Sequence, residues 1–269
     1  YAANKIGKGA FRWQHLPTTF EVYSDGIDLV VFEEFGSGRA ALHLQEEMGR
    51  NDLLRDEAYR RWFRRDFEKK FSPRVWHRGF DDTRIVECPD ESLVGRSIGE
   101  VARERKLHPV DTFLDLVVEY GREFRWHTVI ANDRPEVADR LIRTEGITLG
   151  FSDAGAHLRN MAFYNFGICL LRRIHEGEQR GKPVLPLHTA VHKLTGELAD
   201  FYGIDAGHLR IGDRADFVVI DPAGLDEDTD RYHEAPLEQF GGLRRMVNRN
   251  DRAVTATAVA GQVVFRAGE

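Results

Sequence analysis

Apolar residues fall in short blocks along this chain, and their spacing switches between the two-residue period of strands and the 3.6-residue period of helices. The most regular switching lies between residues 126 and 176. Trp126-His127-Thr128-Val129-Ile130-Ala131 predicts a strand. Asp133-Arg134-Pro135-Glu136 opens a helix that turns Val137, Leu141 and Ile142 inward, and Gly146 closes it. Residues 147–151 then predict a buried strand, and 161–176 a largely apolar helix. Strand, about ten helical residues and strand again is the pattern of a crossover between parallel neighbours. It favours an α/β barrel or an open doubly wound sheet.

The flanks are less regular. Leu29-Val30-Val31-Phe32 predicts a strand or buried loop closed by Gly36-Ser37-Gly38, and 39–70 reads as helix with Asp56 as an internal cap. Thr83-Arg84-Ile85-Val86-Glu87-Cys88 predicts a strand stopped by Pro89. Ser97-Ile98-Gly99-Glu100 matches a capping box, opening a helix that ends near Lys106. Asp111 is expected to cap the next helix, with Phe113, Leu114, Leu116, Val117 and Val118 buried and Gly121 at its end. Pro186 opens a helix that runs to about Phe201 and stops at Gly203. After it come a strand over 215–220 and a hairpin of 255–260 with 263–265 across Gly261-Gln262. Three such strands make no stable sheet alone, so they are expected to need partners, most naturally from an N-terminal segment.

Composition narrows the classes. The chain has 269 residues, 42% of them hydrophobic, and a net charge of -6, enough for a large α/β domain or two smaller ones. The acidic balance argues against a nucleic-acid footprint; the basic run Arg60-Arg61-Trp62-Phe63-Arg64-Arg65 is offset by Asp66 and Glu68 and reads as a solvated helix face. No apolar run predicts a membrane span. Cys88 and Cys169 are too few for a disulfide framework and read as buried thiols in a reducing, cytoplasmic compartment. Asp226-Glu227-Asp228-Thr229-Asp230 reads as an acidic surface loop. The opening Tyr1-Ala2-Ala3-Asn4 has no initiating Met, so the chain is expected to begin inside a longer polypeptide.

The candidate chemistry sits where the 147–151 strand stops, in Gly150-Phe151-Ser152-Asp153-Ala154-Gly155-Ala156-His157. Carboxyl ends of parallel strands face the crevice that α/β enzymes use as a site. Asp153 is either a turn or cap residue or a functional carboxylate. His157 and Arg159 lie in the loop beyond it, where a substrate carboxylate could be held or where they simply meet solvent. His188 and His192 share one helical face at i and i+4 but lack the Glu of a metalloprotease helix. His127 reads as a core histidine or a group at a barrel mouth, and His15 as a loop group over that mouth.

Two further stretches carry a resemblance. The segment 207–222, with Gly212-Asp213-Arg214-Ala215-Asp216 at its centre, resembles the part that follows the barrel in metal-dependent amidohydrolases. Val259-Ala260-Gly261-Gln262-Val263-Val264 resembles the last hairpin of that superfamily. With the Asp153 loop, the chain resembles the C-terminal portion of an N-acyl-D-amino-acid deacylase (D-aminoacylase). The resemblance implies an α/β chain: the C-terminal part of a (β/α)8 TIM barrel over 1–200, interrupted by an insertion around 36–125, then strands of a small composite β-sandwich over 201–269. Strands 126–131 and 147–151 would be the seventh and eighth of the barrel. One or two metal ions, usually zinc, would sit at the strand ends, with Asp153 as proton shuttle and, in two-metal relatives, a metal ligand. Ser152, His157 and Arg159 would line the substrate.

The chain departs from that family pattern. It has no His-x-His pair, so most metal ligands are expected upstream, and the chain alone is expected to be incomplete. Deacylases hold the substrate carboxylate with an Arg at the position that Tyr164 occupies here, and Arg159 is the candidate substitute. The resulting expectation is a metal-dependent hydrolase of linear amide C–N bonds acting on a small-molecule amide. The alternatives are a cyclic-amide hydrolase of the dihydropyrimidinase or dihydroorotase type, and a non-catalytic or split-barrel subunit. Its expected partners are the missing N-terminal half of the barrel or a complementary chain; homo-oligomer formation is compatible with the sequence.

Overall fold

A three-residue strand that the hydrophobic pattern does not signal, β1 (Trp13–His15), pairs in parallel with β5 (Ile147–Leu149). The structure is a computed structural model that describes residues 7, 9–72, 74–76, 79–248 and 250–268. Most of the opening stretch, residues 1–6 and 8, lies outside them. Trp13, Gln14 and His15 stand opposite Ile147, Thr148 and Leu149, and the Thr148 hydroxyl donates to the Trp13 carbonyl at 3.1 Å. A parallel pair needs a crossover. It is supplied by α6 (Pro135–Arg143), with a whole unit spliced in ahead of it.

The chain divides into two compact units. The first holds Tyr1–Thr19, Asn132–Leu158 and Ala162–Glu269; the second holds Phe20–Ala131 and Arg159–Met161. The second therefore begins and ends outside the 36–125 range drawn from the sequence.

In the second unit, β2 (Phe20–Asp25), β3 (Arg84–Glu87) and β4 (Arg125–Ala131) form a sheet in the order β2-β4-β3, antiparallel throughout. This corrects the expected crossover: the 126–131 strand is not the parallel neighbour of 147–151. Alternating burial along β4 identifies a strand, but a period of two carries no direction. Phe20 pairs with Ala131, so the unit leaves and rejoins the chain at one end of a hairpin-like ladder, the usual geometry of an inserted domain.

Among the described residues, five α-helices belong to the same unit: α1 (Gly36–Leu42), α2 (Glu47–Arg55), α3 (Glu57–Glu68), α4 (Ile98–Arg105) and α5 (Pro109–Tyr120). The expected 39–70 helix is thus three, and Asp56 caps α3 by accepting from the Tyr59 amide at 2.7 Å. Gly36-Ser37-Gly38 starts α1 rather than closing a loop; a Cβ on Gly38 would lie 2.2 Å from the Phe32 carbonyl oxygen. Residues 30–34 are a 3-10 turn. The capping box of α4 is complete: Ser97 accepts from the Glu100 amide at 3.1 Å and Glu100 from the Ser97 amide at 2.7 Å. His108, not Asp111, caps α5, with Pro109 as its first residue; Asp111 instead pairs with Arg64. The core is aromatic, with Phe32, Phe63, Trp76, Phe113 and Trp126 all fully buried.

In the first unit, α7 (Phe166–Gln179), α8 (Leu187–Leu194) and α9 (Gly196–Tyr202) follow β5. Ile142, Leu149, Leu170, Ile174, Leu185 and Ala190 form the centre of one core that joins β5 to α6, α7 and α8. The helix expected from Pro186 breaks at Thr195. β6 (Phe217–Ile220), β9 (Val254–Val259) and β10 (Gln262–Arg266) form a sheet in the order β10-β9-β6, turned at Ala260-Gly261, where both residues take positive φ (49° and 77°). Val218, Val263 and Val264 stay exposed on it. A second hairpin, β7 (Glu234–Leu237) with β8 (Leu243–Met246), has no counterpart in the hydrophobic pattern, since Pro236 masks it. Among the described residues no helix is long and apolar enough to cross a membrane.

Candidate active site

The polar loop begins where the β1–β5 ladder ends. The Gly150 amide donates to the His15 carbonyl at 3.1 Å, the last ladder bond, and the chain then leaves the sheet. β5 stops at Leu149 rather than running to 151, and Phe151 is exposed. Phe151 and Asp153 both adopt left-handed backbone, φ 72° and 53°. For a bulky residue such as Phe that conformation costs about 1–3 kcal/mol and persists only where surrounding bonds fix it.

Those bonds are present. Ala154 is fully buried, and its carbonyl accepts from the Tyr164 hydroxyl at 2.9 Å. The Ala156 and His157 amides donate to the Asp153 and Ala154 carbonyls, each at 3.2 Å, and Leu158 accepts from the Met246 amide on β8 at 2.8 Å. The Asp153 carboxylate is left half-exposed, 3.6 Å from His157 Nε2. Ser152 lies half-buried between Phe151 and Asp153. Asp153, Ser152 and His157 are therefore neighbours on one turn. A half-exposed carboxylate can exchange protons with a bound reactant, and the adjacent imidazole can accept or donate a hydrogen bond.

Arg159 is engaged elsewhere. Its guanidinium lies on Asp25 of β2, with Nη2 2.9 and 3.0 Å from the two carboxylate oxygens. Asp25 also pairs with the buried Arg125, whose Nη2 donates to the Arg159 carbonyl at 2.6 Å. The Asn160 side chain donates to the Tyr23 carbonyl at 2.7 Å, and the Asn160 carbonyl accepts from the Tyr23 amide at 2.8 Å. A bidentate Arg–carboxylate pair satisfies the fork that a substrate carboxylate would need.

His127 lies on β4 of the inserted unit, 2.9 Å from Glu21, not on a barrel strand. His188 and His192 are exposed on α8. His15 is no loop group: it ends β1, buried, with Nε2 lacking a hydrogen-bond partner among the described residues. Burial, with the Arg173 cation adding to it, pushes the His15 imidazole below its ordinary pKa of 6.5. The unfolded chain takes up a proton that the folded chain refuses, so stability is full above that value and falls as pH drops below it. His15→Leu is expected to flatten the pH dependence of the urea midpoint on the acid side; a slope equal to that of the wild type would locate the acid sensitivity in other groups.

Burial, with Asp230 3.2 Å away adding to it, pushes the Cys169 thiol above the usual range.

A family profile described as the amidohydrolase family matches residues 94–265, well over half of the chain. The chain belongs to the amidohydrolase family. Its fold class follows: an α/β chain carrying the C-terminal part of that family's barrel, together with late antiparallel strands. Curated relatives from Mycobacterium bovis (uncharacterized protein Mb2937c) and Mycobacterium tuberculosis (uncharacterized protein Rv2913c) are each 58% identical over 268 residues, 99% of this chain. The chain spans 44% of the length of each. Among solved structures, a D-aminoacylase described with a binuclear metal center is 23% identical over 70% of this chain and 35% of that one, with a TM-score of 0.42. The zinc- and phosphonate-bound N-acyl-D-glutamate deacylase from Bordetella bronchiseptica is 19% identical over 69% and 35%, with a TM-score of 0.41. At these TM-scores the likeness carries no argument of its own.

Proposed function

We propose that the whole protein is a metal-dependent hydrolase of linear amide C–N bonds, with N-acyl-D-amino acids as its substrate class and Asp153 as the proton carrier. One observation supports this most: in a chain of the amidohydrolase family, a half-exposed carboxylate is held on a fixed left-handed turn at the carboxyl end of a parallel strand. Amide hydrolysis needs a proton taken from the attacking water and one delivered to the departing nitrogen. A single carboxylate positioned beside both atoms performs the two transfers in turn.

Among the described residues no three His, Cys, Asp or Glu side chains converge. These residues do not fit a complete metal site, and Asp153 with His157 offers at most an edge of one. The relatives extend well beyond the matched part, and in this reading the remaining ligands, for zinc as the sequence resemblance implies, lie there. Two cysteines without a disulfide accord with a reducing, cytoplasmic setting.

The test is a substrate panel on the whole protein, with N-acyl-D-amino acids, their L counterparts and hydantoins. Turnover of the D series supports the proposal. Turnover of hydantoins alone assigns a cyclic-amide hydrolase, and turnover of none refutes amide hydrolysis.

A further inference from the structure

We infer that Arg245 is the residue that holds a carboxylate of the substrate beside the Asp153 loop. The inference rests on the hydrolase reading above and deepens it by naming the residue that recognises the carboxylate of that substrate class.

β8 presents two arginines in succession, and neighbouring residues on a strand point to opposite faces. Arg244 is neutralised: its Nε lies 2.9 Å from Glu234 on β7. Arg245 stands opposite Ala235, which offers it no charge. Among the described residues its side chain makes no ion pair and no hydrogen bond. Its guanidinium lies over the Tyr164 ring, whose centroid is 5.7 Å from the guanidinium carbon. A half-buried cation without a counter-charge is costly to keep, and a stacked guanidinium keeps its N–H edge available for a planar anion.

Its position connects it to the candidate carboxylate from two sides. Tyr164, on which it stacks, holds the Ala154 carbonyl next to Asp153. Met246, which follows it, holds the Leu158 carbonyl at the far end of the same loop. Arg245 thus belongs to the frame that fixes the 153–158 turn, while Arg159 is spent on Asp25. The two arginines on α7 next to this region in sequence are spent as well: Arg172 pairs with Glu176 at 2.7 Å and Arg173 with Asp139 at 2.7 Å.

The experiment compares N-acetyl-D-alanine with N-acetyl-D-alaninamide, which differ in the charge of one group, using the whole protein and its Arg245→Ala and Arg245→Lys variants. Binding is read by calorimetry and turnover by the split between KM and kcat. Wild type should bind the acid more tightly than the amide. Arg245→Ala should raise KM for the acid by about 10–100-fold and abolish the preference for the acid over the amide. Arg245→Lys should restore part of the preference. Equal binding of the two probes by the wild type, or a preference that survives Arg245→Ala, overturns the assignment. If an Arg245-dependent preference is found and neither probe is cleaved, Arg245 stands and the N-acyl-D-amino-acid reading falls.

Discussion

Asp153→Asn in the whole protein is expected to lower kcat for amide hydrolysis by about 10²–10⁴-fold, the usual worth of a positioned acid–base group. That is about 3–5 kcal/mol on the barrier of the chemical step. The substitution is a clean one because asparagine has the same size and tolerates the left-handed backbone at φ 53° that this position demands. The loop bonds from Tyr164, Met246 and the Ala156 and His157 amides all go to backbone carbonyls, so they survive the change. KM and the urea midpoint should therefore hold while kcat collapses. Steady-state kinetics with one N-acyl-D-amino acid settles the point: a variant rate within about threefold of the wild type removes Asp153 from the chemistry.

The largest expected effect on stability belongs to Phe32→Ala. Phe32 is fully buried, and five aromatic rings surround it, those of Phe35, Phe63, Trp76, Phe113 and Trp126, with centroids between 5.5 and 6.2 Å away. Removing the ring leaves a void lined by rigid groups that cannot collapse into it. Such truncations cost about 3–5 kcal/mol, a large share of the 5–15 kcal/mol or so that holds a domain folded. Urea unfolding followed through the buried Trp76 and Trp126 should show the midpoint fall by a corresponding amount. A loss below about 1 kcal/mol would mean that the neighbouring rings close the gap and that the core is plastic.

Much of the local structure was readable from residue types. Ser97 and Glu100 form the capping box their spacing announces, and Asp56 caps the helix it precedes. Gly203 ends α9 in left-handed backbone, φ 66°. Each of these depends on bonds within a few residues, which sequence spacing fixes. β1 was not readable, because three residues with the pattern Trp-Gln-His give no periodicity; it is a strand only because Ile147–Leu149 lies beside it. The same blindness put β4 next to β5, since alternation reports exposure and not the identity of a partner.

The sequence by itself determined that the chain is α/β, that a polar turn with Asp153, Ser152 and His157 follows an apolar strand, and that late Gly-Asp-Arg-Ala-Asp and hairpin segments mark an amidohydrolase. These are contiguous features, and contiguity survives without a fold. Only the tertiary structure decided which charges near the turn are already satisfied. Arg159, six residues from Asp153, is closed off by Asp25, more than a hundred positions away in sequence, while Arg245 on an unforeseen hairpin reaches the ring that braces Ala154. The reason is physical: a guanidinium's availability depends on the nearest carboxylate in space, and the chain order does not encode that distance.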